Sequence, residues 1–206
     1  DRFRNRIIVP IHDRQKRVIG FGGRSLDGSE PKYLNSPETE VFEKGKNLFG
    51  LDKSSLSIRK KDYAVVVEGY FDVMALHDSG ITNVVASLGT ALSRNQITLL
   101  SRATDSKKIL LNFDSDNAGI RAANRAISEV ENLAIQGQLD LRVLQLPSGK
   151  DPDEFLKDNS PSEYEALAAN APLWMDWQIE QSLKDLDLSK SDQFQEAVSN
   201  LVNLLG

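Results

Sequence analysis

The chain has 206 residues, 40% of them apolar and 27% charged, which is enough for a sizeable core and typical of a globular protein. It has no cysteine, which excludes disulfides, thiolate zinc sites and cysteine nucleophiles. No apolar run approaches the roughly 20 residues of a membrane helix. The net charge of −5 is unevenly divided: residues 1–61 carry fourteen Lys/Arg against eight Asp/Glu, a balance of +6, and the rest carries eleven against twenty-two, a balance of −11. A basic front suits phosphates and an acidic back suits metal cations. A start at Asp1 rather than Met, without a signal sequence, is expected of a piece cut from a longer cytoplasmic protein.

Three regions are expected. In the first, 1–61, "RIIVPI" and "VIGFGGRSL" read as two strands joined by the polar turn "HDRQKR", with Pro10 placing the first at a sheet edge or bulge. "PKYLNSPETEVFEKGKNLFGL" is irregular, and "KSSLSIRKK" resembles a linker or an exposed helix end. In the second, 62–159, strand and helix alternate. "YAVVVEG" is a continuous apolar strand of the kind buried on both faces. "FDVMALHDSG" is a short helix closed by Gly80, and "NVVASLG" is a second strand. Ser93 caps a helix, and "KKILLNFD" is a third strand. Ile120, Ala123, Ile127, Val130 and Ala134 recur at helical spacing before a fourth strand, "LRVLQLP". This order predicts an α/β fold with a mostly parallel sheet and helices on both faces. In the third, 160–206, "SPSE" opens with a capping box and the remainder reads as helices, with Trp174 and Trp177 in the core.

Ligands of open parallel sheets sit beyond the carboxyl ends of the strands. Three of the four expected strands deliver acids there: Glu68 and Asp72 after the first, Asp114 and Asp116 after the third, Asp151 and Asp153 after the fourth. Each adjacent pair at about 4 Å would cost roughly 4 kcal/mol at an effective dielectric near 20. Divalent cations remove that cost, and all-oxygen ligands select Mg²⁺ or Mn²⁺ over zinc. An isolated Asp-x-Asp before a helix is ordinarily an N-cap plus a solvated acid; it is the combination, each time at a strand end, that is specific.

"VVVEGYFDVMAL", "ASLGT", "LNFDSDNAG" and "GKDPDEF" together resemble the toprim module. "DRFRNRIIVPIHD", "VIGFGGR" and "PKYLNSPET…FEKGKNLFGL" narrow the resemblance to the catalytic core of bacterial-type DNA primases (DnaG), over nearly everything from Asp1 to about Phe155. The resemblance implies a toprim sheet at 62–159 and a small N-terminal α+β subdomain at 1–61; residues 160–206, outside it, are expected from their own pattern to form a C-terminal helical subdomain, complete or truncated. It implies that Glu68, Asp114 and Asp116 are catalytic, and that Asp72, Asp151 and Asp153 join them in binding metal. The reaction implied is two-metal-ion phosphoryl transfer, making short RNA primers from ribonucleoside triphosphates on single-stranded DNA during replication. Glu68 is either a ligand or a general base. Arg2, Arg4, Arg24, Lys32, Tyr33, Asn35 and Lys44 match positions on a nucleotide- and template-binding ridge; Tyr33 either stacks a base or packs, and Asn35 either binds phosphate or caps "SPET". Mg²⁺ is the implied cofactor, with Mn²⁺ as substitute and no zinc. A replicative helicase is an implied partner through a domain absent from this sequence, the setting is cytoplasmic, and no membrane is involved.

Rival readings are a nuclease or topoisomerase of the toprim fold, and a phosphatase using Asp114 as nucleophile. No tyrosine here is set as a topoisomerase nucleophile, and a phosphatase leaves Glu68 and Asp151 without roles. Arg121 and Arg125 are expected on a solvated helix face, with Arg121 close enough to the acids to pair.

Overall fold

The computed structural model describes residues 2–89, 91–184 and 186–205; Asp1, Asp185, Gly206 and Thr90 of the "ASLGT" motif lie outside them. Strands β1 (Arg6–His12), β2 (Val18–Ser25) and β3 (Tyr33–Asn35) form an antiparallel sheet in that order. The β1–β2 turn is organised by Asp13, whose carboxylate accepts the backbone N–H groups of Gln15 and Arg17, each at 2.9 Å, and Arg17 Nε at 2.7 Å. Pro10 lies on β1, the edge strand, where its missing N–H disrupts no ladder. β3 falls in the stretch expected to be irregular, and pairs Tyr33, Leu34 and Asn35 with Arg24, Gly23 and Gly22.

The stretch expected to be a linker or exposed helix end is a full helix, α1 (Leu51–Lys61), with Leu51, Ser54 and Ile58 buried on one side. Ser54 is tolerated inside because its hydroxyl donates to the Val84 carbonyl at 2.6 Å.

A second sheet contains β4 (Tyr63–Val67), β5 (Val84–Ala86), β6 (Lys108–Leu111) and β7 (Asp140–Val143), all parallel, in the order β5-β4-β6-β7. Between and after them run α2 (Tyr70–Asp78), α3 (Arg94–Ser101), α4 (Asn117–Ile135), α5 (Pro152–Asp158), α6 (Pro161–Ala169), α7 (Trp174–Leu183) and α8 (Ser191–Leu205). The valines of β4 divide between two cores. Ala64 and Val66, with Ile109 and Leu111, pack against Ala123, Ile127 and Val130 of α4 and against Trp174 and Trp177 of α7. Val65 and Val67, with Leu110, pack against Val73 and Leu76 of α2, Phe155 of α5 and Tyr164 of α6. Both faces are therefore dry, as the unbroken apolar run requires. Each such side chain contributes about 1.5–3 kcal/mol on burial.

Local signals agree with this packing. Ser93 with Gln96, and Ser160 with Glu163, form reciprocal capping boxes, and Pro161 occupies the first turn of α6. Gly80 follows α2 with φ at +92°, a conformation that favours glycine. One buried polar group links the second core: Asn112 Nδ2 donates to the Leu144 carbonyl at 3.2 Å, and the Tyr164 hydroxyl donates to Asn112 Oδ1 at 2.7 Å.

Replacing Tyr164 with Phe keeps the ring and strands the Asn112 carbonyl oxygen without a donor. The expected loss is about 1–3 kcal/mol in urea unfolding. A loss below a few tenths would show that the bond contributes nothing to stability.

Candidate functional site

In the order β5-β4-β6-β7 the chain turns one way after β4 and crosses to the other side of it for β6, so the switch point lies between β4 and β6. Glu68 is the first residue beyond β4, and Asp114 follows β6 after Asn112 and Phe113. The two meet: Glu68 Oε1 accepts the Asp114 backbone N–H at 3.3 Å. Asp72, one turn into α2, folds back to accept the Gly69 N–H at 3.1 Å. A Cβ on residue 69 would stand 2.9 Å from that carboxylate, so glycine makes room for the acid. Asp151 N-caps α5, accepting the Glu154 N–H at 2.7 Å, and Asp153 pairs with Lys157 at 2.9 Å.

Glu68, Asp72, Asp114, Asp151 and Asp153 all line one cleft of about 360 Å³. Its opposite wall, from the antiparallel sheet, carries Arg24, Lys32, Tyr33 and Asn35. The Arg24 guanidinium lies 4.5 Å above the Phe71 ring centroid, and Lys32 Nζ lies 5.7 Å from that of Tyr33. Tyr33 packs edge-on to Tyr70 with centroids 6.5 Å apart, yet remains 41% exposed. Both open readings of Tyr33 thus keep physical room: it packs, and it still shows surface on which a base can stack.

The acids strain one another. Burial, then Asp151, Asp114 and Glu68, push the Asp72 carboxyl up to about 7. Burial, then Asp114, raises Glu68, and burial, then Asp151 and Asp116, raises Asp114, with Lys32 opposing. Among the described residues no three Asp, Glu, His or Cys side chains stand close enough to form a ready metal cage. The donor set nevertheless suits a hard cation, being all oxygen and short of positive charge.

Four of the sequence candidates lie apart from the cleft lining. Asp116 is exposed and N-caps α4, its Oδ1 accepting Ala118 and Gly119 N–H at 2.8 Å each. Arg2 donates from Nε to the Asn35 carbonyl at 3.1 Å, and Arg4 is exposed ahead of β1. Lys44 lies in the short 3-10 helix Lys44–Lys46, where its carbonyl accepts from Gln96 Nε2 at 2.9 Å. From α4, Arg125 lines an adjoining pocket with Glu68 and Ser87, and its charge opposes the rise of the Glu68 carboxyl. Two further contributors escaped the sequence reading. Tyr70 lines the cleft beside Glu68, and Gly119 lets α4 begin directly against the Asp114 backbone, where a Cβ would meet its carbonyl oxygen at 1.9 Å. A glycine in a helical first turn three residues after an Asp-x-Asp was the available signal for the second.

Two family models match the chain: "DNA primase catalytic core, N-terminal domain" over residues 1–55, and "Toprim-like" over residues 65–156. The DNA primases of Synechococcus elongatus and Synechocystis are 64% and 51% identical over the whole chain, which spans about a third of each, 30% and 33%. Among solved structures, a DNA primase domain from Pseudomonas aeruginosa aligns with TM-score 0.86 at 40% identity, covering 100% of this chain and 63% of that one. A DnaG primase catalytic domain solved bound to single-stranded DNA aligns with TM-score 0.82 at 39% identity, covering 99% and 65%. The RNA polymerase domain of Mycobacterium tuberculosis primase DnaG, in complex with a double-stranded DNA oligomer bearing an overhang, aligns with TM-score 0.82 at 34% identity, covering 100% and 65%.

The crowding has a pH signature. The folded chain holds the Asp72 proton up to about pH 7, whereas the unfolded chain releases it near 3.8, so wild-type stability falls as pH rises through that window. Asp72→Asn lacks this loss. In divalent-free buffer its advantage in urea unfolding is expected to open between about pH 4 and 7, reaching at most about 4 kcal/mol. A gap that is constant with pH would show that Asp72 is not strained.

Proposed function

The chain belongs to the bacterial, DnaG-type DNA primase family and matches 63–65% of its solved catalytic domains, and from that premise we propose that it polymerises ribonucleotides into short primers on single-stranded DNA. One observation carries this reading: five carboxylates beyond the carboxyl ends of a parallel sheet, three of them after the strands that flank its switch point, share a single cleft with Arg24 and Lys32. The two charge signs on facing walls match a nucleoside triphosphate, whose phosphates need cations on one side and whose reacting end needs a metal-binding edge on the other.

Each side chain then has a physical task. Lys32 and Arg24 attract and orient the triphosphate, Arg24 being held over the Phe71 ring and Lys32 acting as a point charge. Tyr33 offers its exposed surface to a base. Glu68, Asp72, Asp114, Asp151 and Asp153 would hold a divalent cation, joined by Asp116, whose Oδ1 also fixes the start of α4. Mg²⁺, or Mn²⁺ in its place, would supply charge neutralisation of the triphosphate and a lowered pKa at the attacking 3′-hydroxyl. Glu68, whose Oε1 is kept in place by the Asp114 amide, serves either as one of the cation's ligands or, left off it, as the base that receives that hydroxyl's proton. Arg2, Arg4 and Lys44 extend the basic surface on which a template lies. Ribonucleoside triphosphates, a replicative helicase engaged through other parts of the protein, and a cytoplasmic setting at the replication fork belong to the same proposal. No helix among the described residues is long and apolar enough to cross a membrane.

Primer synthesis from ribonucleotides on a single-stranded template with Mg²⁺ tests the reading. Asp114→Asn is expected to lower it by about 100-fold or more, the scale of losing a charged group from the reacting centre, while template binding persists. Undiminished product would remove the acidic edge from the chemistry. Template affinity is expected to fall with added salt, and Arg4→Ala to reduce the slope of log K against log salt by about 0.7, one released counterion on a single strand. An unchanged slope would take Arg4 off the template path.

A further inference from the structure

Tyr70 opens α2, the helix that carries Asp72, and stands between the two sheets. Its ring is buried, packed on Phe49 with centroids 4.8 Å apart and edge-on to Tyr33. It fills the space left by Gly22 of β2, where a Cβ would stand 2.5 Å from Tyr70 Cε2. The Tyr70 hydroxyl donates to Asn35 Oδ1, and Asn35 Nδ2 donates to the Leu88 carbonyl at 2.7 Å. The amide has one chemically allowed orientation. Leu88 offers only an acceptor, so the nitrogen faces Leu88 and the oxygen faces the phenol. Burial raises the Tyr70 pKa to about 12, which keeps the hydroxyl a donor at working pH. A continuous tie therefore runs from α2 through Tyr70 and Asn35 to the loop after β5, and it is the last residue of β3 that is clasped.

We propose that Tyr70 is a positioning residue that acts through Asn35 to set the span between β3, with Lys32 and Tyr33 at its start, and the acidic edge at Glu68, Asp72 and Asp114. The inference rests on the reading of the cleft as a nucleotide site. A triphosphate must touch both walls at once, so its affinity depends on how far apart they are held. Without the hydroxyl, the Asn35 side chain keeps one anchor instead of two, and the β3 end of the basic wall is held less firmly to the acidic edge.

Tyr70→Phe keeps the ring, its packing and its fit against Gly22, and removes only the donor. Amide hydrogen exchange at Tyr33, Leu34 and Asn35 is expected to rise about tenfold while β4 and β6 keep their rates, the scale of one lost hydrogen bond. KM for ribonucleoside triphosphate, and Kd for a fluorescent analogue, are expected to rise about tenfold, well beyond any fall in kcat. Asn35→Ala and the double variant are expected to match each other, since both cut the same tie. Unchanged exchange in β3 would overturn the clasp. Faster exchange with unchanged Kd would overturn the positioning role, and so would additive losses in the double variant. If the wild type binds the analogue but makes no primer, the functional reading falls alone, and exchange with Kd still decides the role of Tyr70.

Discussion

Mutual repulsion among carboxylates is the constraint around which the molecule is arranged. Glu68, Asp72 and Asp114 are pushed toward their protonated forms, first by burial and then by the charge of neighbouring acids, Asp151 among them. An edge of that kind cannot hold itself together. It is held by what lies behind it: a four-stranded sheet dry on both faces, whose central strand sends alternate valines into separate cores. The acids sit where those strands stop, so burial of the strands fixes positions that electrostatics alone would push apart. Helix caps add to this. Asp151 and Asp116 each satisfy backbone N–H groups at the start of α5 and α4, and Gly69 yields its Cβ space to Asp72.

The antiparallel sheet supplies the opposite sign. Its charges are not loosely placed; Arg24 is spread over Phe71, a residue of α2, and Tyr33 lies against Tyr70 on the same helix. α2 therefore touches both walls, contributing an acid to one and an aromatic floor to the other. Cation–π contact of this sort favours arginine, whose flat guanidinium stacks without losing its outward-facing donors. The cleft is accordingly a junction of two sheets and one helix, and neither sheet holds the site alone.

Much of this was legible in the sequence, and the gaps have physical causes. An apolar strand ending in an acid is a strong signal, because such a carboxylate has few comfortable partners, and the three strand-end pairs were readable from "VVVEGYFD", "NFDSD" and "GKDPDEF". α1 was misread because its inward face carries a serine: the hydroxyl of Ser54 is satisfied by Val84, a partner thirty residues away that no local pattern reveals. β3 is three residues long, too short for a period of two to register. Arg121 and Arg125 are one helical turn apart, and the effect of the Arg125 charge on Glu68 depends on where α4 starts, which Asp116 sets. Asn35 was weighed between phosphate and a cap; its amide is engaged by Tyr70 and Leu88, tertiary partners invisible to spacing.

The double duty of Asp116 and Asp151 has a consequence for how the molecule tolerates change. Each is at once an acid of the strand-end set and the residue that starts a helix. Truncation to alanine would remove charge and unravel a helix start together, so that lost chemistry and lost architecture become indistinguishable. Asparagine caps about as well as aspartate and carries no charge. Serine, the cap of α3 and α6 at Ser93 and Ser160, shares both properties, so either residue separates the two duties, and drift at these positions should pass through asparagine or serine before any other residue.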